Sequence, residues 1–356
     1  MDNETTEDAS NNVFRPFDNN VECICLDGPI SSRLFPVANA EEMQYLDLCR
    51  QILDKGFMEE GRNGCTKSVF GHMMRFNLTN STIPILTTKK TAWKTCLKEL
   101  MWFIRGQTNN KILKEQGVHI WDANGSREFL DSRGLTNYEV DELGPIYGYQ
   151  WRHFNKPYYC NKDKQDIQQK INICWNDGTL EMNTELEDDY NKLSETGVDQ
   201  LQQIIDALKD PKQRTSRRLI MTAWNPCQLD NMALPPCHIL CQFNVHDGNK
   251  LSCSMYQRSV DTMLGQPFNI ASYSFLTHLI AKHCGLEAYE FVYFMGNCHI
   301  YDDHIDGAQE QIKREPYEFP TLNIKTIKDN INDYTIDDFE VVGYRHYPKI
   351  TMKMRA

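Results

Sequence analysis

Three polar clusters lie within otherwise apolar sequence between residues 233 and 271, and they restrict the fold more than any other feature. They occupy Leu234–His238, Tyr256–Asp261 and Leu264–Ala271. The apolar runs beside them predict two strands and a core helix whose ends carry the polar groups. A cysteine after two prolines, an arginine at a strand end and an amide beside an aromatic ring indicate a nucleophile, an anion clamp and a polar recognition group. The combination favours covalent chemistry on a small, planar, negatively charged substrate.

The charge and the cysteines narrow the class of protein. The 356-residue chain has a formal net charge of −11, which argues against a broad nucleic-acid-binding or membrane-binding surface. An anionic ligand would therefore need a local arginine cluster. Thirteen scattered cysteines without a CxxC pair predict reduced thiols in the cytoplasm or nucleus. The acidic N-terminus resembles no secretion signal, and the apolar runs are too short to span a bilayer.

The predicted elements intermix without strict alternation, so we expect a single α/β (α+β) domain. Residues 1–20 predict a disordered acidic tail, residues 21–356 a catalytic domain, and residues 155–196 a polar surface insertion without a persistent hydrophobic period. Helices are predicted at Glu41–Lys55, Thr91–Ile104, Leu201–Leu208 and Asn269–Lys282. Strands are predicted at Ser68–Leu78, Arg218–Trp224, His238–Val245, Leu251–Gln257 and Ile350–Arg355.

Cys237 is the candidate nucleophile, because two prolines fix the backbone where a loop enters a predicted strand. Arg258 ends the next strand, so a hairpin would bring its guanidinium near the thiol, and a nearby cation lowers a thiol pKa. Adjacent strand residues face opposite sides, so His238 is a poor base for Cys237 and a cysteine-protease dyad is disfavoured. A zinc site is disfavoured too, because no second ligand pair has the usual spacing.

Glu99 and Asn269 each allow two interpretations. Glu99 leans on its helix toward Trp102 and Phe103, so it is either a proton-transfer group of raised pKa or a surface glutamate. Asn269 is either the amide that recognises a pyrimidine edge or a helix N-cap.

Arg217 and Arg218 precede a predicted strand and are either a phosphate clamp or solvated charges. His299 and Tyr301 lie two positions apart on a predicted strand. They therefore share a face and could contact one sugar hydroxyl.

These residues stand in a longer series of segments that resembles the thymidylate synthase family over about residues 41–356. The matching segments are Thr87–Lys89, Glu99–Phe103, Ile120–Asp122, Leu143–Gly148, Ser216–Arg218, Ala233–His238, Gln257–Asp261, Pro267–Tyr273 and His299–Tyr301. The resemblance implies a mixed β-sheet flanked by helices, with a sheet face that packs in a homodimer. It also implies a methyltransferase that converts dUMP to dTMP with 5,10-methylenetetrahydrofolate, which leaves as dihydrofolate, and no metal.

The resemblance also assigns roles. By that likeness Cys237 adds to C6 of uracil, Glu99 organises proton transfers, Tyr147 assists removal of the C5 proton, Arg258 holds phosphate and thiolate, and Asn269 selects uracil. Further dUMP ligands are implied at Arg62, Arg217, Arg218, Gln257, Ser259, Asp261, His299 and Tyr301, with Arg217 and Arg218 donated by the other subunit. Folate ligands are implied at Trp121, Asn124, Asp261, Leu264, Gly265, Phe268 and Ala356.

The chain departs from the family pattern in four places. The loop Gly61–Ser68 is one residue shorter, which leaves Arg62 as its candidate phosphate ligand. Asn297 stands where an aspartate is usual, Ala356 replaces a larger apolar residue, and the polar insertion is long.

Two rival functions stay open. A deoxyuridylate hydroxymethylase of the same fold would finish with water in place of hydride, although Trp121 and the C-terminal tail favour methyl formation. A catalytically silent nucleotide-binding or RNA-binding homologue is disfavoured by the acidic charge and by the presence of Cys237, Glu99 and Asn269. A cytosine-specific enzyme would be expected to have an aspartate at position 269.

Overall fold

The computed structural model describes residues 39–61, 64–176 and 195–355, together with Asp188, Asn191 and Leu193. The acidic tail predicted at residues 1–20, Arg62 and Ala356 lie outside these described residues.

The described ranges contain helices at the four places where the sequence predicts them, and further helices between and after these. They are α1 (Ala40–Lys55), α2 (Trp93–Ile104), α3 (Lys111–Glu115), α4 (Arg127–Ser132), α5 (Tyr147–His153), α6 (Asn161–Asn176), α7 (Gln200–Lys209), α8 (Gly265–His283) and α9 (Ile305–Gln311). Asn39 caps α1, because its side chain accepts a hydrogen bond from the Glu42 amide at 3.0 Å. Gly106, at φ +66, ends the turn after α2.

Six strands form one mixed sheet in the order β1-β2-β6-β5-β4-β3, and two more form a small antiparallel pair, β7-β8. The strands are β1 (Phe57–Gly61), β2 (Gly64–Asn77), β3 (Ile220–Thr222), β4 (His238–His246), β5 (Lys250–Asp261), β6 (Glu287–Tyr301), β7 (Thr321–Ile324) and β8 (Phe339–Val342). Helix α8 is buried almost all round and packs on β5 and β6, while α1 packs on β2. The predicted mixed sheet flanked by helices is confirmed.

The strand directions decide where polar strand ends meet. Strands β5 and β6 pair in parallel, so both end at the same edge of the sheet. Strands β4 and β2 are antiparallel to them and therefore begin at that edge. The start of β4 and the ends of β5 and β6 therefore lie at the same edge of the sheet.

Three sequence expectations are corrected. Residues 350–355 form no strand; the apolar alternation reflects an extended segment in which Ile350 and Met352 pack on α9. Helix α8 begins four residues before the predicted Asn269. The insertion carries a helical period after all, because Ile167 and Ile171 of α6 are buried together in a small satellite cluster.

Candidate active site

Cys237 and Arg258 meet across the β4–β5 hairpin, as the sequence predicts. The Arg258 amide donates to the Cys237 carbonyl at 2.9 Å. The guanidinium donates through Nε to the Pro236 carbonyl at 2.8 Å and through Nη2 to the Pro235 carbonyl at 3.1 Å. Its Cζ also lies 5.4 Å from the centre of the Trp224 ring. The carbonyls of the two prolines that precede the half-buried Cys237 therefore hold the guanidinium in place.

Tyr147 reaches Cys237 from the first turn of α5. The Cys237 amide donates to the Tyr147 hydroxyl oxygen at 2.8 Å. Burial, reinforced by the neighbouring Cys237, raises the pKa of Tyr147 well above its ordinary value, so the phenol stays neutral.

His238 lies behind Tyr147, a contact that sequence reasoning missed. The two rings stack at a centroid distance of 4.2 Å, and His238 Nδ1 bonds the Tyr273 hydroxyl at 2.8 Å. Burial lowers the pKa of His238 to about 3, which keeps the ring uncharged. The exclusion of His238 as a base for Cys237 agrees with this placement, and its role is to support Tyr147.

Glu99 joins the same group of side chains through an indole. Trp121 Nε1 donates to Glu99 Oε1 at 2.8 Å, and the Trp121 ring lies 6.0 Å from that of Tyr147. Burial raises the pKa of Glu99 to about 7, against a smaller lowering effect of the indole bond. Its carboxyl can therefore give or take a proton near neutral pH.

The N-terminal turn of α8 brings Asn269 to the same edge and excludes the N-cap interpretation, because the helix begins at Gly265. The helix start is fixed instead by Asp261, whose Oδ1 accepts from the Met263 and Leu264 amides at 3.0 Å each. Asn269 Oδ1 lies 3.8 Å from the position that a Cβ would take at Gly265, an ordinary contact distance, so the amide lies beside the first residue of the helix.

Asn124 supplies a buried donor beside the aromatic wall of the site. Asn124 and Trp121 are both buried, and within the described residues Asn124 Nδ2 has no hydrogen-bond partner. An unpaired buried amide is costly, so it points to a missing polar group. Half-buried Leu264, Gly265 and Phe268 lie on the nearby start of α8. Indole, apolar surface and a free donor together suit a planar heterocycle such as a pterin.

The remaining candidate ligands on β5 and β6 differ in how deeply they are buried and in whether their polar groups already form hydrogen bonds within the chain. His299 and Tyr301 share a face at the end of β6, with ring centroids 5.3 Å apart. Asp261 is the register partner of His299. Ser259 is half-buried near the edge, whereas Gln257 is buried and its amide is occupied by the Ser259 carbonyl at 2.9 Å and the Tyr293 hydroxyl at 2.5 Å.

Arg217 and Arg218 are not brought to Cys237 within this chain. Both side chains are exposed just before β3, which pairs antiparallel to β4 through Ile220 and Gln242. The arginines therefore lie toward the far end of β4, roughly 20 Å from its start at about 3.3 Å per residue.

Lys89 is a further residue to which sequence reasoning gave no role. Its buried ammonium donates to the Met263 carbonyl, beside Asp261. Burial lowers the pKa of Lys89 to about 8. The available signal was its place in the matching segment Thr87–Lys89, which follows the apolar run that ends at Leu86.

Two kinds of feature are absent from the described ranges. No helix there is both long and apolar enough to cross a membrane. No group of three or more His, Cys, Asp or Glu side chains there is arranged to hold a metal ion.

The known proteins that are similar to this chain share one description. A sequence model described as thymidylate synthase matches residues 43–356. The chain is 49% identical over 320 residues to the bifunctional dihydrofolate reductase-thymidylate synthase of Plasmodium berghei, covering 89% of this chain and 49% of that protein. It is 49% identical over 328 residues to the probable thymidylate synthase of Schizosaccharomyces pombe, covering 89% and 48%.

A third relative matches over nearly its whole length. The thymidylate synthase of Saccharomyces cerevisiae is 45% identical over 326 residues, covering 89% of this chain and 97% of that protein. By contrast, the chain spans about half the length of the two relatives above.

Proposed function

Because this chain belongs to the thymidylate synthase family, we propose that it is a methyltransferase that converts dUMP to dTMP with 5,10-methylenetetrahydrofolate. Dihydrofolate is the second product. The observation that carries the proposal is the meeting of Cys237, Arg258, Tyr147 and the Glu99–Trp121 pair at one sheet edge.

Cys237 is the proposed nucleophile. Its sulfur forms a bond to C6 of the uracil ring, and the electron pair of the C5–C6 double bond moves toward C5 and the O4 carbonyl. Covalent addition of this kind makes C5 a carbon nucleophile and divides one difficult step into easier ones. Arg258, fixed by the two proline carbonyls, stabilises the thiolate before addition and contacts the nucleotide phosphate.

Glu99 and Tyr147 are proposed to manage protons. Glu99, with a pKa of about 7, exchanges a proton through water with the O4 region of the ring. Tyr147 stays neutral, so it does not act as a base itself; it orients the water that removes the C5 proton.

Recognition of dUMP follows from the edge residues. The Asn269 amide reads the uracil edge, and His299 and Tyr301 contact the deoxyribose hydroxyl. Ser259 and Arg62 are proposed phosphate ligands with Arg258. Gln257, whose amide is occupied internally, is proposed to hold the Ser259 backbone rather than to touch the nucleotide.

The residues beside the nucleotide fit the folate. Trp121, Leu264, Gly265 and Phe268 would pack on the pterin, and Asn124 Nδ2 and Asp261 would meet its polar edge. Ala356 is proposed as a further folate contact. When bound, 5,10-methylenetetrahydrofolate supplies the one-carbon unit and the hydride. The chain's own contribution is to bind that ring beside C5 and to exclude water.

We further propose that the open face of the large sheet packs against a second copy of the chain. Cross-strand partners Met73, Phe294 and Tyr256 are exposed together, although large apolar side chains are normally covered. They border a groove of about 580 Å³. Ile220, which follows Arg218, is exposed on the same face, so pairing would carry Arg217 and Arg218 to the other copy's phosphate site.

The direct test is the product formed from dUMP and 5,10-methylenetetrahydrofolate. We expect dTMP and dihydrofolate in equal amounts, by mass spectrometry and by the absorbance of dihydrofolate. Hydroxymethyl-dUMP with tetrahydrofolate would reject the proposal in favour of a hydroxymethylase, and unchanged dUMP would favour a silent binding protein.

A further inference from the structure

The last described residues of the chain lie against a short acidic turn beside the site. This 3-10 turn, Asp302–His304, follows β6 directly after Tyr301. Arg355 Nη2 lies 3.3 Å from Asp302 Oδ1 and 2.9 Å from Asp303 Oδ2. Arg355 Nε also donates to Asp303 Oδ1 at 3.4 Å, so both oxygens of one carboxylate face the guanidinium.

Two contacts fix the backbone that leads to Arg355. Buried His304 donates through Nε2 to the Lys353 carbonyl at 2.7 Å. Met352 packs so closely on Gly307 of α9 that a Cβ at Gly307 would lie 2.7 Å from the Met352 methyl carbon. Polar and apolar contacts therefore dock this segment on the same face of α9.

The docked arginine adjoins two parts of the nucleotide site. Its Cζ lies 6.0 Å from the centre of the Tyr301 ring, on the edge of a weak cation–π contact. Its Nη1 lies 3.5 Å from the position that a Cβ would take at Gly64, the first residue of β2. The Tyr301 ring itself packs between His299 and His304, at centroid distances of 5.3 and 5.5 Å.

We propose that Asp302, Asp303 and Arg355 form a clasp that positions Tyr301 and the start of β2 for nucleotide binding. The inference rests on the proposed nucleotide-binding role of Tyr301. A ring held in place before binding loses less conformational entropy when the ligand arrives. None of the three clasp residues reaches the reacting atoms, so they are positioning residues. Isolated surface ion pairs are weak, but one guanidinium between two carboxylates, backed by apolar packing, is a network.

Opening the clasp changes substrate binding more than turnover. In Arg355→Ala, and in the double variant Asp302→Asn with Asp303→Asn, KM for dUMP rises about fivefold, which equals about 1 kcal/mol. The kcat value stays within about twofold, because the reacting groups are untouched. Arg355→Lys restores part of the loss, since it keeps the charge without the two-pronged geometry.

The matched control is Asp306→Asn, which removes an exposed carboxylate from the first turn of α9. No ion pair of Asp306 is found within the described residues. It should leave KM unchanged. Salt adds a second readout: raising the salt concentration should raise KM more in the wild-type protein than in Arg355→Ala, because ion pairs are screened.

Trypsin cleavage after Lys353 tests the clasp by a measurement that does not depend on enzymatic activity. The bond between Lys353 and Met354 should be cut faster in the double Asp variant than in wild type or Asp306→Asn. If cleavage is faster and dUMP binding is weaker in the clasp variants, but no sample forms dTMP, the clasp inference holds and the proposed function is rejected. Wild-type KM and wild-type cleavage in both clasp variants would overturn the clasp itself, as would faster cleavage with an unchanged KM.

Discussion

Single residues at this site act through their surroundings more than through their intrinsic chemistry. Cys237 lies next to a histidine in sequence, yet burial keeps His238 neutral, and the cation held by the carbonyls of the two prolines before Cys237 is Arg258. Tyr147 is held neutral by burial, while Glu99 is brought near neutrality. Environment therefore separates these groups into a neutral phenol and a carboxyl that titrates near neutral pH.

The raised pKa of Glu99 makes a prediction about stability. Unfolded, the carboxyl loses its proton near 4.5, whereas in the folded protein its pKa is about 7. Between these values the folded state binds more protons, so stability falls as pH rises through the window. The Glu99→Gln side chain does not titrate. From pH 4.5 to 8 the unfolding free energy of the variant should therefore increase, relative to that of wild type, by on the order of 2 kcal/mol.

Urea denaturation of both proteins at a series of pH values measures that difference. All other titrating groups are common to the two proteins, so they cancel to first order. Parallel stability curves would show that the Glu99 carboxyl is not desolvated.

At the scale of elements, the site depends on helix α5 lying directly against α2. A Cβ at Gly148 would fall 2.5 Å from the Phe103 carbonyl oxygen, which is backbone and cannot move aside. Gly148 also directly follows Tyr147, so any shift of α5 displaces that hydroxyl from Cys237.

Gly148→Ala should therefore lower the unfolding free energy by about 2 kcal/mol or more and reduce kcat as well. Gly61→Ala is the control, because a Cβ there would meet the Gly64 carbonyl at an ordinary 3.5 Å. Thermal unfolding compares them. A Gly148→Ala protein as stable and active as Gly61→Ala would contradict the close packing.

The local sequence pattern predicted the helices and strands well, but it predicted contacts between distant residues poorly. The amphipathic period of α1 and the apolar strands β4 and β5 are visible in sequence, and so is the Cys237–Arg258 hairpin. The Trp121–Glu99 bond joins residues 22 positions apart and depends on how the turn between α3 and α4 lies against α2. The Ile350–Arg355 alternation misled because packing on α9 produces the same period as a strand.

At the scale of the whole molecule, strand direction brings the candidate site together, and we propose that a second copy packed on the open sheet face completes it. Parallel β5 and β6 bring Arg258 and Tyr301 to one edge, while β3 carries Arg217 and Arg218 away from it. In a protein of net charge −11, a dianionic nucleotide needs a local cluster of positive side chains. We propose that a second copy of the chain adds Arg217 and Arg218 to that cluster.

Mixed dimers test this requirement. Cys237→Ala and the double variant Arg217→Ala with Arg218→Ala should each be inactive alone. Coexpressed with different tags and purified through both, the mixed dimer holds one intact site of two, and should recover about half of wild-type activity. A mixed dimer as inactive as its parents would show that the arginines serve their own chain's site.

The central claim is that the Cys237 sulfur bonds to the pyrimidine, and one measurement addresses it directly. With 5-fluoro-dUMP and 5,10-methylenetetrahydrofolate the C5 proton cannot be removed, because fluorine occupies its place, so the covalent species should accumulate. Mass spectrometry of the denatured protein should show one added nucleotide and one added folate on the peptide containing Cys237, and neither in Cys237→Ala. No adduct, or an adduct on another thiol such as exposed Cys227, would contradict the account.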